Sequence, residues 1–261
     1  MTGDRLSDLE GLRQVAEQAA EVGSRIVRDA FGHTSELGEV KGSGDYVTGV
    51  DRASEAAVGE FLRERTPDVP VFAEEAGGVR GDRYWAVDPL DGTTNFLLGF
   101  PVVAVSVALV ESGRPVAGAV RAPMLGLSFS AGLGLGAWSG SRRMLVSDRP
   151  SERAIVATAF PFRDKSVLPR YRPVLERVVE RGEDIRRAGA AALDLAWVAA
   201  GVFDGYFELN LSVWDVAAGA LLVEEAGGVV TDWQGGPDYL QGEILAGSPA
   251  TYAMLLEAAR L

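Results

Sequence analysis

Apolar residues recur over the first thirty positions at Leu6, Leu9, Leu12, Ala16, Ala19, Ile26 and Ala30, at spacings of three and four apart from one longer gap. That period lines one face of a helix, and the pattern predicts an amphipathic helix over residues 4–31. A second helix is predicted over 50–65, started by a Thr48-x-x-Asp51 capping box and stopped by Pro67. Between the two, the glycine-rich stretch 40–51 reads as a flexible loop carrying Lys41, Asp45, Thr48 and Asp51. Residues 69–73 read as a strand that empties into Glu74 and Glu75, and Trp85, Ala86 and Val87 as a buried strand ending at Asp88. The stretch 101–111 alternates and then runs apolar, as a central strand does. Gly113 turns it into a hairpin partner over 114–121, and a second hairpin-like pair covers 127–131 and 136–138.

The rhythm changes after the polar run 139–151. Strands are predicted over 154–159, 185–187, 203–209, 229–232 and 244–247, and helices over 167–181, 190–201, 215–227 and 249–261. Such alternation is α/β layering, whereas the first half reads as α+β with antiparallel hairpins. We expect an N-terminal α+β unit over 1–147 and an α/β unit over 148–261 that completes a shared site. The chain has no internal repeat and no low-complexity tract.

Composition narrows the chemistry. A chain of 261 residues that is 47% hydrophobic can bury a large core. No apolar run approaches the roughly 20 residues of a membrane span, and the first residues lack a basic start followed by an apolar block, so no membrane partner and a cytoplasmic location are expected. The absence of cysteine removes disulfides, zinc–thiolate sites and cysteine-nucleophile phosphatases. The single histidine, His33, sits in the loop-like GHTSELG and is expected to be solvated, which sets aside phosphohistidine chemistry and histidine-based triads. Net charge is −12, from 37 acidic and 25 basic residues; it repels nucleic acid, so no nucleic-acid partner is expected, and it suits a site that collects divalent metal.

The densest chemistry lies in YWAVDPLDGTTNF, residues 84–96. Pro89 biases Asp88 away from the helical region, so the chain is expected to turn there and bring Asp91 back beside Asp88. Two hard oxygen donors that close repel one another unless a divalent cation neutralises them. Gly92 has no side chain, so its backbone and that of Thr93 can present N–H groups to an anion. An Asp-Pro-x-Asp-Gly turn also caps helices, and alone it leaves both readings open. Three further acidic pieces bear on the choice: Asp51 in VTGVD, Glu74 with Glu75 in FAEEAGG, and Asp215 in SVWDVAAG at the start of an alanine-rich helix. Each has a capping or turn reading of its own. Glu208, at a strand end seven residues before Asp215, faces the same loop edge.

In order and spacing, VTGVD, FAEEAGG, DPLDGTTNF and WDVAAGALLVEEAGG resemble the inositol monophosphatase family of lithium-sensitive, magnesium-dependent sugar phosphatases. The resemblance covers residues 41–232. It implies a layered αβαβα sandwich of the inositol monophosphatase and fructose-1,6-bisphosphatase type, a homodimer, and hydrolysis of a small phosphomonoester by metal-activated water. It implies one Mg2+ on Glu74, Asp88 and the Leu90 carbonyl, a second on Asp88, Asp91 and Asp215, and a third, weaker ion near Glu74. Asp51 and Thr93, with Glu74, would be the catalytic groups, the first two orienting the water and taking its proton. Gly92 and Thr93 N–H groups would hold phosphate. Glu208, Asp215 and the backbone of Gly189, Ala190 and Ala191 would face the polyol. Gly189-Ala190-Ala191 stands where animal members have Gly-Thr-Ala, and Ser212 where they have histidine. The implied metal set is intact and the substrate is left open: inositol monophosphate leads, with fructose 1,6-bisphosphate, histidinol phosphate and phosphoadenosine phosphate as alternatives. A haloacid-dehalogenase-type phosphatase would carry Asp-x-Asp, whereas Pro89 and Leu90 separate the carboxylates here. A non-catalytic metal or phosphate sensor would not need the complete set. Neutralising Asp88, Asp91 or Asp215 is expected to leave the fold intact, because each removes a repelling charge.

Overall fold

The structure, a computed structural model, describes residues 3–33, 39–42 and 45–260, with the backbone alone for 3–4, 39–42 and 45–47. The chain runs α1 (Gly3–Ala30), β1 (Glu39–Gly42), β2 (Asp45–Val47), α2 (Gly49–Arg65), β3 (Val71–Ala73), β4 (Gly77–Gly78), β5 (Arg83–Asp91) and α3 (Thr93–Leu97). The strands β6 (Ala104–Glu111), β7 (Arg114–Ala122), β8 (Leu127–Gly132), β9 (Gly136–Ser139) and β10 (Arg142–Arg143) follow. Then come β11 (Ile155–Thr158), α4 (Leu168–Arg181), β12 (Asp184–Arg186), α5 (Ala191–Ala199), β13 (Gly205–Leu209), α6 (Val213–Glu225), β14 (Val229–Thr231), β15 (Glu243–Gly247) and α7 (Pro249–Ala259).

Eight strands form one sheet in the order β10-β9-β8-β7-β6-β5-β3-β4, and five form a second in the order β12-β11-β13-β15-β14. Strand alternation explains how they stack. On β5, Trp85 and Val87 pack with Val105, Val107 and Leu109 against α1 and α2, while Tyr84 and Ala86 pack with Ala108 and Val110 against α5 and α6. On the second sheet, Ala157, Tyr206 and Ala246 face α5 and α6, and Val156, Phe207 and Leu245 face α4 and α7. The result is the five-layer αβαβα arrangement, a mixed α/β fold. The central helices are apolar on every side because both sheets cover them. A Cβ on Gly219 of α6 would lie 2.5 Å from Leu195 Cβ of α5, so glycine sets how closely the central pair packs.

Two local expectations are corrected. The stretch read as a flexible loop contains a short antiparallel pair, β1 with β2. The side chains of Lys41 and Asp45 lie outside the described residues. The chain does not turn at Pro89; β5 continues to Asp91 through a bulge, with Asp88 opposite Ser106 and Asp91 opposite Ala104. Three steps on β5 therefore span two on β6, and the surplus residue re-aims the strand end. A proline fits such a bulge because no ladder N–H is required of it. The Pro89 carbonyl is taken instead by Ser54 Oγ at 2.8 Å. His33 is exposed in the turn after α1, as expected.

β11 runs parallel to both β12 and β13. The carboxyl ends of these three strands share one edge, where open α/β sheets place their ligands.

Candidate active site

A cavity of about 320 Å³ opens where the end of β5 meets that edge. Glu74, Asp88, Leu90, Asp91, Gly92, Thr93, Gly189, Ala190, Ala191, Glu208 and Asp215 all line it. Of the candidate residues, Asp51 alone stands behind the wall, reached through Thr93, whose Oγ1 lies 3.0 Å from Asp51 Oδ1 and 3.1 Å from the Leu90 carbonyl. Its single proton goes to one acceptor or the other.

Each acid has a local anchor. Asp51 completes the expected capping box: its Oδ2 accepts from Thr48 N–H at 2.8 Å and from Thr48 Oγ1 at 2.5 Å. Asp215 occupies the equivalent place on α6 and accepts from Ser212 N–H at 2.6 Å. In both, capping and facing the site are compatible, since a carboxylate has two oxygens. Asp88 Oδ1 accepts from Leu90 N–H at 3.0 Å. Gly92 adopts φ +89°, and a Cβ there would lie 2.9 Å from the Val102 carbonyl, so only glycine fits between β5 and α3.

Asp91 differs from the expectation that only a charge would be lost on neutralising it. Its Oδ1 accepts from Ala191 N–H at 3.1 Å and its Oδ2 from Ala192 N–H at 2.8 Å. It thus caps α5 across 100 residues of sequence, joining the two sheets' halves of the cavity. The Ala191 N–H, assigned by resemblance to the polyol side, is committed to Asp91.

Seven carboxylates and two arginines line the cavity. Burial first, then the charges of Glu74, Asp91 and Asp215, hold Asp88 well above the usual carboxylate range. Burial and then Asp215 push Asp91 up to about 7, against the opposing bonds from α5. Burial raises Glu208 to about 8, partly opposed by the Tyr206 hydroxyl that donates to its Oε2. Among the described residues no three acids close into a tight metal cage. The donor set nevertheless fits a hard divalent cation: four carboxylates and a main-chain carbonyl, all oxygen, crowded enough to resist ionising together.

The family model described as the inositol monophosphatase family matches residues 8–260. The chain belongs to the inositol monophosphatase family. It is 45% identical over 225 residues to the Nus factor SuhB of Pseudomonas aeruginosa, covering 83% of each chain. The extragenic suppressor protein suhB of Bartonella henselae superimposes with a TM-score of 0.90 at 39% identity, over 96% of this chain and 98% of that one. The inositol monophosphatase of Anabaena superimposes with a TM-score of 0.83 at 33% identity, over 97% and 96%. Membership of the inositol monophosphatase family supports phosphatase chemistry and metal binding on this fold.

Several cavity residues of this family member escaped sequence reasoning. Asp194, in the first turn of α5, is 1% exposed, and its Oδ1 has no hydrogen-bond partner. Burial first, then Asp91 and Glu208, raise it well above the usual range. An aspartate inside the apolar AALDLAWVAA was the available signal, because a buried acid needs a reason. Arg187, Phe160, Phe162 and Arg163 complete the wall.

These raised values fix a sign for pH dependence. Asp91 and Glu208 have folded values above their ordinary 3.8 and 4.5, so their contribution to stability is intact below those and lost as pH rises through about 7 and about 8. In excess chelator, the melting temperature should therefore fall from pH 5 to pH 8, reflecting a loss of several kcal/mol, at about 1.4 kcal/mol for each tenfold change in proton affinity crossed. Magnesium should flatten the slope. A melting temperature that holds or climbs across that interval in chelator would contradict these environments.

Proposed function

We propose that the protein hydrolyses phosphomonoesters of small sugars or polyols, inositol monophosphate foremost, in a Mg2+-dependent reaction. The observation that carries this reading is the convergence in one cavity of Glu74, Asp88, Asp91 and Asp215 with Gly92 and Thr93. Glu74, Asp88 and the Leu90 carbonyl would hold one Mg2+ and Asp88, Asp91 and Asp215 another, and by resemblance a third, weaker ion would sit near Glu74. Bound there, the cations would supply Lewis acidity, polarising phosphate and water and offsetting charge on the leaving oxygen.

The chain's own groups do the rest. The N–H groups of Gly92 and Thr93 orient phosphate. Thr93 Oγ1 takes a proton from attacking water as it passes its own along its hydrogen bond to Asp51 Oδ1, so Asp51 is the group that ends protonated. Glu208 reads the leaving group. Its carboxyl oxygens accept from a hydroxyl and, where burial keeps the group protonated, one of them also donates. Glu208→Ala should therefore lower the selectivity for inositol 1-phosphate over a simple aryl phosphate about tenfold. Glu208→Gln, which keeps the shape and can still donate to and accept from a hydroxyl, should keep more of it. Equal losses on both substrates would reduce Glu208 to a prop for the Asp215 loop.

A phosphate-release screen over inositol 1-phosphate, fructose 1,6-bisphosphate, histidinol phosphate and phosphoadenosine phosphate tests the substrate; the proposal expects the first to be turned over fastest. Lithium sensitivity, a homodimer and a cytoplasmic location belong to the same proposal and rest on the resemblance and the composition. A second reading draws on the relatives named Nus factor SuhB, a name that is not a hydrolase's: the same scaffold would also bind a partner. A variant silent in catalysis that still complements loss of the gene would support it.

A further inference from the structure

Two phenylalanines line the cavity together with the carboxylates, and nothing in the proposed chemistry uses them. Phe160 and Phe162 line the cavity while remaining 39% and 55% exposed. Exposed phenylalanines at a ligand cavity call for a physical reason, since water gains nothing from them. Here they are held in place. Phe162 N–H donates to the Phe160 carbonyl at 2.7 Å, closing a tight turn over Pro161. The two rings meet edge to face at 6.0 Å, and Phe160 packs edge-on against buried Tyr171 at 6.1 Å. Arg187, from the end of β12, sets its guanidinium 5.9 Å from the Phe162 ring centre. Beyond the turn, Asp164 accepts from Ser166 N–H at 2.9 Å and from Asn210 Nδ2 at 3.1 Å, tying the segment to the end of β13. The segment leaves β11 next to Glu208 on β13, so rings and polar reader share one strand edge.

We infer that Phe160 and Phe162 form a shelf for the apolar C–H face of a cyclic leaving group, and that this shelf makes the site prefer ring phosphates to open-chain ones. A saturated ring presents a rigid face of C–H bonds, which an aromatic ring holds by dispersion and by its negative π-face, while Glu208 takes hydroxyls at the rim. An open-chain polyol has no such face and must be ordered to make one. The cavity, about 320 Å³, is at the small end of ligand pockets, which suits one ring with its phosphate rather than a longer chain.

This inference rests on the phosphatase reading, and the test separates the two. The ratio of kcat/KM for inositol 1-phosphate to that for glycerol 2-phosphate should fall about tenfold in Phe162→Ala, mostly through KM. Phe162→Tyr, which keeps the ring, should preserve it. Phe162 is largely exposed, so an unchanged melting temperature checks that Phe162→Ala is folded; Phe160→Leu supplies an independent second variant. If the parent hydrolyses both phosphates and the ratio is unmoved in Phe162→Ala and Phe160→Leu, the shelf is not a substrate contact and the inference falls alone. A parent that hydrolyses neither phosphate overturns the phosphatase reading and this inference with it.

Discussion

Asp88→Asn should lose about a thousandfold or more of phosphate release while melting at the same temperature as the parent, or higher, in chelator. Asp88 is the acid on which the proposed cation sites converge, and its ionised form is disfavoured by burial and by three neighbouring acids. Asparagine keeps an oxygen for the 3.0 Å bond from Leu90 N–H, so the local backbone is retained. It also removes one of the charges that repel, which relieves the ion-free protein. Asp91→Asn is expected to behave differently. Both Asp91 oxygens accept from the start of α5, and an amide NH2 in place of one of them would face an N–H donor. That variant should lose stability by about 1–3 kcal/mol as well as activity. Calorimetry of the two variants beside phosphate-release assays distinguishes a lost cation site from a lost cap; equal melting behaviour would remove the bridging role assigned to Asp91.

Thr93→Val should lower kcat by about 10²–10⁴-fold with little change in KM. The substitution keeps the shape of the side chain and the main-chain N–H proposed to hold phosphate. It removes only the hydroxyl that lies between Asp51 and the cavity. Thr93→Ser should recover most of the rate, because the hydroxyl returns. A loss confined to KM would mean that Thr93 binds phosphate and has no part in proton transfer, and Asp51 would then be a helix cap alone.

The helices and strands were legible because each face of each element has its own partner. Trp85 and Val87 alternate with Tyr84 and Ala86 on β5, and the two sets enter different cores. The two central helices were legible from the alternation of strand and helix, although their place between two sheets came from resemblance. The proximity of Asp88 and Asp91 was readable from their spacing, but its cause was misjudged: proline suggested a turn, and pairing with β6 imposed a bulge. The bond between Asp91 and α5 spans 100 residues, and no local pattern announces a contact at that range. The apolar run around Asp194 marked it as a buried acid, but its neighbours Asp91 and Glu208 come from other strands and stayed out of reach of local pattern. The aromatic segment was passed over because a loop's side chains acquire meaning only when the strand ends around them are placed.

The most direct test of the account is release of inorganic phosphate from inositol 1-phosphate by the unaltered protein, measured in magnesium, in excess chelator, and after magnesium is restored. Turnover in magnesium, its loss in chelator and its return on restoration are the predicted results. Undiminished turnover in chelator, or no release of phosphate in magnesium from this or the three alternative substrates, would contradict it.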